Sequence, residues 1–388
     1  MFQRDVRLPL LAAAAILSVH PASAIEADYE SEQASFSVET VAKRLEHPWG
    51  LAFLPDGRMM VTERPGRLRI VSPDGTISEP ISEVPEVDAR GQGGLLDIAL
   101  DPGFERSRLV YLSYAEPGRD GNSTAVARAV LSEDGRALSD LKVIFSQKPR
   151  VSSRSHFGSR LVFDGNGHLF ITLGERSAEK FRRQAQDLDS HLGKIVRVNP
   201  DGGVPEDNPF NRQPEALPEI WSYGHRNVQA AAIHPETGAL WAIEHGPKGG
   251  DEINIAEPGL NFGWPVVSYG VNYNGSPVGT GKQRQTGMAD PIYQWTPVIA
   301  PSGMLFYSGS AFADWRGDLF VGGLRAKALV RLELEGNKIV HEERLLRDLG
   351  RRIRDVEQGP DGALYVLTDE SNGEILRLSP KERAAEGN

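Results

Sequence analysis

The chain of 388 residues contains no cysteine. This absence excludes disulfide bonds, a thiol nucleophile and a Cys-ligated iron–sulfur cluster. There is no basic stripe either: 43 Lys and Arg stand against 53 Asp and Glu, so nucleic acid is not an expected partner. The sequence also lacks a dinucleotide-binding glycine loop, a Walker lysine loop, a GxSxG elbow and an HExxH helix.

Long hydrophobic runs are also absent, since the apolar stretch at residues 8–19 is too short to span a bilayer. Arg4 and Arg7 precede this stretch and Ala22-Ser-Ala24 follows it, a pattern typical of a cleavable secretory signal. A disordered tail or membrane anchor is the alternative. We therefore expect a signal peptide at 1–24 and a periplasmic protein. Residues 25–34 are mostly polar and read as a flexible leader, and 381–388 as a polar tail.

What the chain does contain is a short phrase repeated six times: an apolar run, a turn such as Pro-Asp-Gly, and a second apolar run. The repeats begin near residues 51, 95, 160, 230, 304 and 355. Hairpins repeated at this period indicate a propeller or solenoid. We predict an all-β fold over 35–380, a six-bladed β-propeller of four-stranded antiparallel blades. The strand near 35–41 is expected to complete the blade that contains 356–378.

Polar clusters stand where predicted strands give way to loops. His156 and Glu175 lie at the two ends of one predicted hairpin, nineteen residues apart, and so can return to the same rim. A carboxylate beside a histidine fixes its tautomer and strengthens it as a base. The alternative is a surface histidine at a loop tip.

Four further clusters are open to two interpretations each. Gln92 lies in a glycine-rich stretch that suits close approach of a ligand or a tight turn between blades. Arg226 and Asn227 can donate several hydrogen bonds to a ligand, or belong to a solvated loop. Residues 244–254 mix carboxylates with glycines, which suits Ca²⁺ or an ordinary polar turn. In the basic run at 351–355, the alternation of a strand places Arg352 and Arg354 on the same side. There they either converge on carboxylates or belong to a solvated edge strand.

Taken together and in order, these phrases resemble the glucose/sorbosone dehydrogenase family, and in particular its aldose sugar dehydrogenases, which use pyrroloquinoline quinone (PQQ). The likeness runs from about residue 47 to 378 and rests on short phrases in a fixed order. These phrases are Gly91-Gln-Gly-Gly-Leu-Leu96, His156 with Arg160-Leu-Val-Phe163, Gly224-His-Arg-Asn227, Gly249-Gly-Asp-Glu-Ile-Asn254, Asn261-Phe-Gly-Trp-Pro265 and Arg352-Ile-Arg-Asp-Val356. The family is a six-bladed propeller, in agreement with the repeat count.

The resemblance implies oxidation of aldose sugars at C1 to the lactone, with hydride passing to PQQ C5 and electrons going on to an external acceptor. His156 matches the general base, Glu175 its supporting carboxylate (usually Asp), and Arg226 the residue that stabilises the developing oxyanion. The positions matched to PQQ contacts are Gln92, His156, Arg226, Asn227, Tyr273, Trp295, Arg325, Arg352 and Arg354. Arg325 stands where some members carry Lys.

For calcium the resemblance offers two patterns. One uses backbone carbonyls at Gly246 and Pro247, and the other uses the Glu252 carboxylate with the carbonyl of Phe262. Two other functions stay open: a calcium-dependent propeller lactonase or other hydrolase, and a non-catalytic propeller that binds protein or glycan. No motif suggests an interface between subunits, so a monomer is expected.

Overall fold

The computed structural model describes residues 25–381 and contains six antiparallel β-sheets that form the blades of a propeller. The predicted signal peptide at 1–24 and residues 382–388 of the predicted tail lie outside the described residues. The strands, in chain order, are β1 (Glu26–Glu30) and β2 (Ser35–Leu45); β3 (Pro48–Phe53), β4 (Met59–Glu63) and β5 (Arg67–Val71) in blade 1; β6 (Leu95–Leu100), β7 (Leu109–Gly118), β8 (Gly121–Leu131) and β9 (Leu138–Ser146) in blade 2; β10 (Leu161–Phe163), β11 (Leu169–Thr172), β12 (Lys194–Val198) and β13 (Ile220–Tyr223) in blade 3; β14 (Val228–Ile233), β15 (Leu240–Glu244), β16 (Asp251–Ile255) and β17 (Tyr293–Trp295) in blade 4; β18 (Pro301–Phe306), β19 (Leu319–Gly323), β20 (Ala328–Glu335) and β21 (Lys338–Leu345) in blade 5; and β22 (Ile353–Gln358), β23 (Leu364–Thr368) and β24 (Gly373–Pro380) in blade 6.

The first strands of the blades, one from each predicted repeat, surround the propeller axis. β3 contacts β6, β6 contacts β10, and the sequence of contacts continues through β14, β18 and β22 back to β3. The ring is closed because β2 pairs antiparallel with β24, with Val38 opposite Leu378. This pairing confirms that the strand predicted near 35–41 completes the last blade.

Two blades depart from the predicted four strands. Blade 1 has three, because the segment after β5 meets it only through the Val71–Ile77 bridge and scattered hydrogen bonds such as that from Ser78 N to the Ile70 carbonyl. The chain from 72 to 94 also contains three prolines, which cannot donate to a ladder. Blade 6 has five, because β1 adds to the outer edge of β2. Residues 25–34 are therefore not the loose leader that their polar composition suggested: Glu26–Glu30 form an edge strand with alternating exposure.

The blades are stacked face to face, so their middle strands are buried on both sides. All five residues of β4 are buried, as are all five of β12. In blade 6, Phe36 of β2 packs edge-on against Trp315, with the two ring centroids 5.6 Å apart. Burial of such aromatic surface supplies the main stabilisation of the interfaces between blades.

The inner strands also carry a buried ionic cluster. The guanidinium of Arg160, just before β10, donates to Asp97 of β6 at 2.9 Å and to Asp355 of β22 at 3.0 Å. These carboxylates have room because their neighbours are glycines: a Cβ on Gly303 would lie 2.3 Å from Asp355 Oδ1, and one on Gly50 would lie 2.7 Å from Asp97 Oδ1. The cluster ties blades 2, 3 and 6 together near the axis.

Helix is confined to short pieces within residues 25–381: α1 (Phe104–Ser107), α2 (Glu179–Arg182), and three 3₁₀ turns at Arg183–Ala185, Ala313–Trp315 and Arg347–Leu349. None of these helices is long and apolar enough to cross a membrane. The longest connection, 256–292, lies in blade 4, and the next longest, 72–94, joins blade 1 to blade 2.

Candidate active site

A cavity of about 280 Å³ opens at the end of the propeller where the inner strands begin. Trp49 of β3 and Leu96 of β6 contribute to its wall, and so does Arg354 of β22, the strand next to β3 on the other side of the ring closure. Loops complete the wall between the strands. The other lining residues are Arg64, Gln92, Phe157, Gly158, Asn227, Gln229, His245, Ala300, Leu324, Arg352 and Asp369.

Three guanidinium groups give this cavity a positive character. Arg352 and Arg354 each donate to Asp369 Oδ2, at 3.0 and 2.9 Å, so one carboxylate is shared by two cations. Burial alone would raise the pKa of Asp369, but the two arginines hold it well below its usual range. Burial lowers the pKa of Arg64, and the charges of Arg352 and Arg354 lower it further. The cavity therefore favours a ligand that carries carboxylates.

His156 and Glu175 form a buried pair beside this cavity. His156 Nδ1 lies 2.7 Å from Glu175 Oε2, so the extra methylene of Glu does not prevent the contact. The backbone N–H of His156 donates to Gln92 Oε1 at 2.7 Å, and Phe157 and Gly158, which follow His156, line the cavity. This geometry brings Gln92, His156 and Glu175 together as predicted.

The electrostatics of the pair favour a neutral imidazole beside an ionised carboxylate. Burial lowers the pKa of His156, and the charge of Arg226 lowers it further, while Glu175 acts in the opposite direction. Burial acts to raise the pKa of Glu175, but His156 and Arg226 bring it below its usual value. Because the carboxylate can only accept, Nδ1 carries the proton and Nε2 is left with its lone pair.

Arg226 and Asn227 are both buried next to this pair. The Arg226 carbonyl accepts from Glu175 N at 2.9 Å, and its side chain donates to the carbonyls of His245 and Gly246 at 2.9 Å each. The Arg226 N–H is held at 2.6 Å by Glu244 Oε2. Asn227 Oδ1 accepts from Gly158 N at 3.1 Å, which joins it to the loop that carries His156.

A second, smaller cavity of about 20 Å³ lies against Arg226, and it is lined by the residues of both alternative calcium patterns. Gly246, Pro247, Glu252 and Phe262 line it, together with Glu244, which belongs to the 244–254 cluster but was not among the predicted calcium ligands. Burial raises the pKa of Glu252 well above its usual value, and the negative charge of Glu244 raises it further. Carboxylate and carbonyl oxygens are the donors that Ca²⁺ prefers, so the residues fit a hard cation that would neutralise Glu252.

Five predicted cofactor residues do not line the larger cavity: His156 and Arg226 lie beside it, and Trp295, Arg325 and Tyr273 lie elsewhere. Trp295, on the outermost strand of blade 4, is buried in the core between blades 4 and 5, and its indole donates to Glu342 at 2.7 Å. The expectation of an aromatic wall at Trp295 is therefore corrected, because the outer strand faces the neighbouring blade and not the axis. Arg325 is exposed beside Leu324, and Tyr273 is 70% exposed, with its hydroxyl 3.4 Å from Arg226 Nη2.

Sequence reasoning did not predict most of the cavity wall, including His245, Gln229, Trp49 and Arg64. His245 lines both cavities, and its Nε2 lies 2.6 Å from the Pro301 carbonyl, an acceptor that fixes the ring proton there. Gln229 accepts from Arg354 at 3.3 Å, Trp49 lies 5.7 Å from the same guanidinium, and Arg64 comes from the loop after β4. His245 lies in the 244–254 cluster described above, and Trp49 lies near residue 47, where the resemblance begins. Nothing in the pattern marked Arg64 or Gln229.

Comparison with known proteins is consistent with this geometry. The model of the glucose/sorbosone dehydrogenase family matches residues 45–377. The aldose sugar dehydrogenase YliI of Escherichia coli is 48% identical over 90% of this chain and 94% of its own length. Quinoprotein glucose dehydrogenase B of Acinetobacter calcoaceticus is 29% identical over 94% of this chain and 91% of its own length.

Solved structures agree in fold. The soluble aldose sugar dehydrogenase of Escherichia coli in its apo-form has a TM-score of 0.86 and 47% identity, covering 89% of this chain and 100% of that one. The PQQ-bound aldose sugar dehydrogenase of Streptomyces coelicolor has a TM-score of 0.72 and 29% identity, covering 92% of this chain and 99% of that one.

Proposed function

This chain belongs to the glucose/sorbosone dehydrogenase family, and on that basis we propose that it oxidises aldose sugars at C1 with PQQ as cofactor. One observation carries the proposal. A cavity rich in arginine lies directly beside a buried His156–Glu175 pair, so a site for a polyanion and a site for a base adjoin. A fold of this kind hosts many functions, and it is this site that selects among them.

The cavity residues fit PQQ by their chemistry. PQQ is a planar triacid that, when bound, supplies the electron-accepting quinone. Arg352 and Arg354 would hold its carboxylates, because each guanidinium retains N–H groups beyond the one given to Asp369. Arg354 Nε is buried and has no hydrogen-bond partner among the described residues, as expected of a donor that contacts a bound ligand. Gln92 and Asn227 would add amide contacts at the same wall.

His156 would act as the general base. With Nδ1–H directed to Glu175, the Nε2 lone pair can accept the proton of the sugar C1 hydroxyl as the C1 hydrogen leaves. Burial keeps the pKa of His156 below its ordinary value, so the base is already deprotonated at neutral pH. Arg226 would stabilise the negative charge that develops on the C1 oxygen, because its fixed guanidinium lies beside the pair.

Calcium would occupy the smaller cavity. Glu252 supplies the charge there, and the carbonyl groups of Gly246, Pro247 and Phe262 supply neutral oxygens. Both calcium patterns of the family thus fall on one small cavity, and Glu244 adds a second carboxylate to it. A cation there would also hold the 246–247 turn in place against Arg226.

The remaining expectations concern the setting of the enzyme. We expect a monomer that is exported to the periplasm after removal of residues 1–24 and passes its electrons to an external acceptor. The sugar would enter over the rim of the 256–292 connection, where Tyr273 is exposed.

Reconstitution tests the proposal. The apo-protein is mixed with PQQ and Ca²⁺, aldoses are added, and reduction of an artificial dye is followed. We expect dye reduction with aldoses, and its loss in His156→Ala with PQQ binding retained. His168→Ala is the matched control, because His168 pairs with Asp164 at 3.0 Å at the far end of the same hairpin. Bound PQQ without dye reduction for any aldose would refute the proposal.

A hydrolase is the second candidate, and one arrangement in the chain resembles its machinery. Ser222 Oγ lies 2.9 Å from His225 Nε2, and His225 Nδ1 lies 2.8 Å from Glu244 Oε1. Ser222 and His225 are both fully buried, so a substrate has no access to the hydroxyl. The arrangement instead supports Glu244, which holds the backbone of Arg226, and the observations favour the dehydrogenase.

A further inference from the structure

Arg176, the residue after Glu175, has a fully buried side chain. Buried arginines elsewhere in the described chain, such as Arg160 and Arg331, contact carboxylates directly. Within residues 25–381 no ion pair at contact distance involves Arg176, and its N–H groups go to backbone carbonyls and to Asn122. Burial lowers the pKa of Arg176 to about 10, so it remains charged at neutral pH. The charges of Glu175 and Asp88 favour this cation from a distance, but no carboxylate of the described residues touches it, so its burial needs a reason other than a direct ion pair.

The contacts of Arg176 fall on both sides of His156. Its Nε donates to the carbonyl of Ser155 at 3.0 Å, and its Nη2 to the carbonyl of Ser153, also at 3.0 Å. Its guanidinium carbon lies 3.9 Å from the ring centroid of Phe157, the residue after His156. Ser153 Oγ donates back to the Arg176 carbonyl at 2.7 Å. One side chain thus holds the residues that flank the histidine.

The backbone at this point needs such support. His156, Arg176 and Ser177 all have positive φ, at 54°, 70° and 68°, in the left-handed region that favours glycine. Residues in this region persist only where surrounding contacts hold them. The contacts of Arg176 are independent of the His156–Glu175 hydrogen bond, so they can fix the two partners relative to each other before any ligand binds.

We infer that Arg176 is a positioning residue for the proposed base. It clamps the loop at 153–157 to the end of the hairpin that carries Glu175, so that His156 Nδ1 meets Glu175 Oε2. The inference rests on the proposed function for its kinetic consequence, but the clamp itself can be measured in the protein without cofactor.

The test compares Arg176→Lys and Arg176→Met with Arg197→Met. Arg197 is the matched control, because it is also buried in blade 3, stacks on Trp221 at 4.4 Å and donates to Asn208 at 2.8 Å, away from His156. The first readout is the pH titration of the His156 ring in the apo-protein, followed by NMR with labelled histidine and assigned by the signal lost in His156→Gln. Thermal unfolding of each variant checks that it is folded.

We expect the Arg176 variants to raise the pKa of His156 toward the ordinary value of 6.5, because a loosened loop admits water and a positive charge is removed or displaced. In the PQQ-loaded enzyme, kcat should fall about 10- to 100-fold with KM and PQQ affinity little changed, since displacement of a catalytic group costs about that much. Arg176→Lys should lose less than Arg176→Met.

An unchanged His156 titration in a folded Arg176→Lys or Arg176→Met variant would overturn the inference. So would equal losses of kcat in Arg176→Met and Arg197→Met, since that result would assign Arg176 a general role in stability. If the wild-type protein binds no PQQ, the proposed function fails, and the NMR titration still decides whether Arg176 positions His156.

Discussion

The 2.7 Å contact between His156 and Glu175 determines which nitrogen of the imidazole keeps its lone pair for the proposed role as a base. Glu175→Gln keeps a hydrogen-bond acceptor for Nδ1–H but removes the negative charge. Because that charge acts to raise the pKa of His156, its loss should lower this pKa and weaken the base. We expect kcat to fall about 100-fold, within the range of general-base catalysis. The acid limb of the pH profile of kcat should move to lower pH.

A pH–rate profile of Glu175→Gln and wild type checks both parts of this prediction. If the acid limb moved to higher pH in Glu175→Gln, the negative charge of Glu175 would not be what raises the pKa of His156. Glu175→Asp serves as a control, since it keeps the charge and shortens the side chain. In Glu175→Asp, the acid limb of the kcat profile should stay closer to its wild-type pH, while kcat itself should also fall.

Arg352 and Arg354 share Asp369 but differ in exposure: the Arg352 side chain is 43% exposed and that of Arg354 is 8% exposed. Loss of a charged hydrogen-bonding partner costs about 1.5–3 kcal/mol, roughly 10- to 150-fold in affinity. Both Arg352→Met and Arg354→Met should therefore bind PQQ more weakly. Only Arg354→Met should also lower the melting temperature clearly. Titration with PQQ and thermal unfolding measure the two effects, and equal melting temperatures would contradict this assignment.

At the level of single residues, the sequence predicts the groups that lie in motifs and misses those that lie outside them. His156, Arg226 and Arg354 lie in or beside the cavity, because each stands near the start of an inner strand (β10, β14 and β22). Arg64 and Gln229 reach the cavity only through the packing of one blade against the next, which no local pattern reveals. Trp295 was placed at the cavity by the resemblance alone, whereas it lies on a short outer strand and packs into the core between blades 4 and 5.

The closing strand β2 is the element on which the ring depends. Phe36 is fully buried against Trp315, whereas Tyr29 of β1 lies partly exposed at the edge of the same sheet. Phe36→Ala should destabilise the protein by about 3–5 kcal/mol, as expected for a large aromatic removed from a core. Tyr29→Ala should cost much less. Urea unfolding of the two variants tests this, and equal costs would show that β2 does not close the ring cooperatively.

Strand β1 shows why the element at the outer edge escaped prediction. Its sequence, EADYE, is short and polar, and its residues alternate between exposed and half-buried. An edge strand of this kind has the composition of a loop and is specified only by pairing with β2. The inner strands, by contrast, are apolar and repeat with a turn motif, so their number and order could be predicted from the sequence.

Across the whole molecule, Arg160 links blades 2, 3 and 6 through Asp97 and Asp355. Arg160→Met leaves both carboxylates buried without their cation, and breaking such a pair costs about 3–5 kcal/mol. The triple variant Arg160→Met/Asp97→Asn/Asp355→Asn should recover part of this loss, because amide oxygens can still accept from Leu51 N and Leu161 N. Chemical unfolding measures both variants. No recovery in the triple variant would contradict a role for uncompensated charge.

The propeller could be predicted almost entirely from the sequence, because each repeat is one hairpin with its own turn. The site could be predicted only in part. Its residues come from loops of different blades, and their convergence follows from closure of the ring, a property of the whole chain. Residues such as His245, which lines both cavities, become recognisable only when the ring is closed.

The most direct test is a single turnover without an external acceptor. Apo-protein is loaded with one equivalent of PQQ and with Ca²⁺ under anaerobic conditions, and glucose or glucose deuterated at C1 is added in a stopped-flow instrument. We predict that the absorbance of PQQ changes to that of the reduced form, more slowly with the deuterated sugar, and that His156→Ala binds PQQ without this change. Bound PQQ that stays oxidised with every aldose would contradict the assignment of this cavity and the His156–Glu175 pair as a sugar-oxidising site.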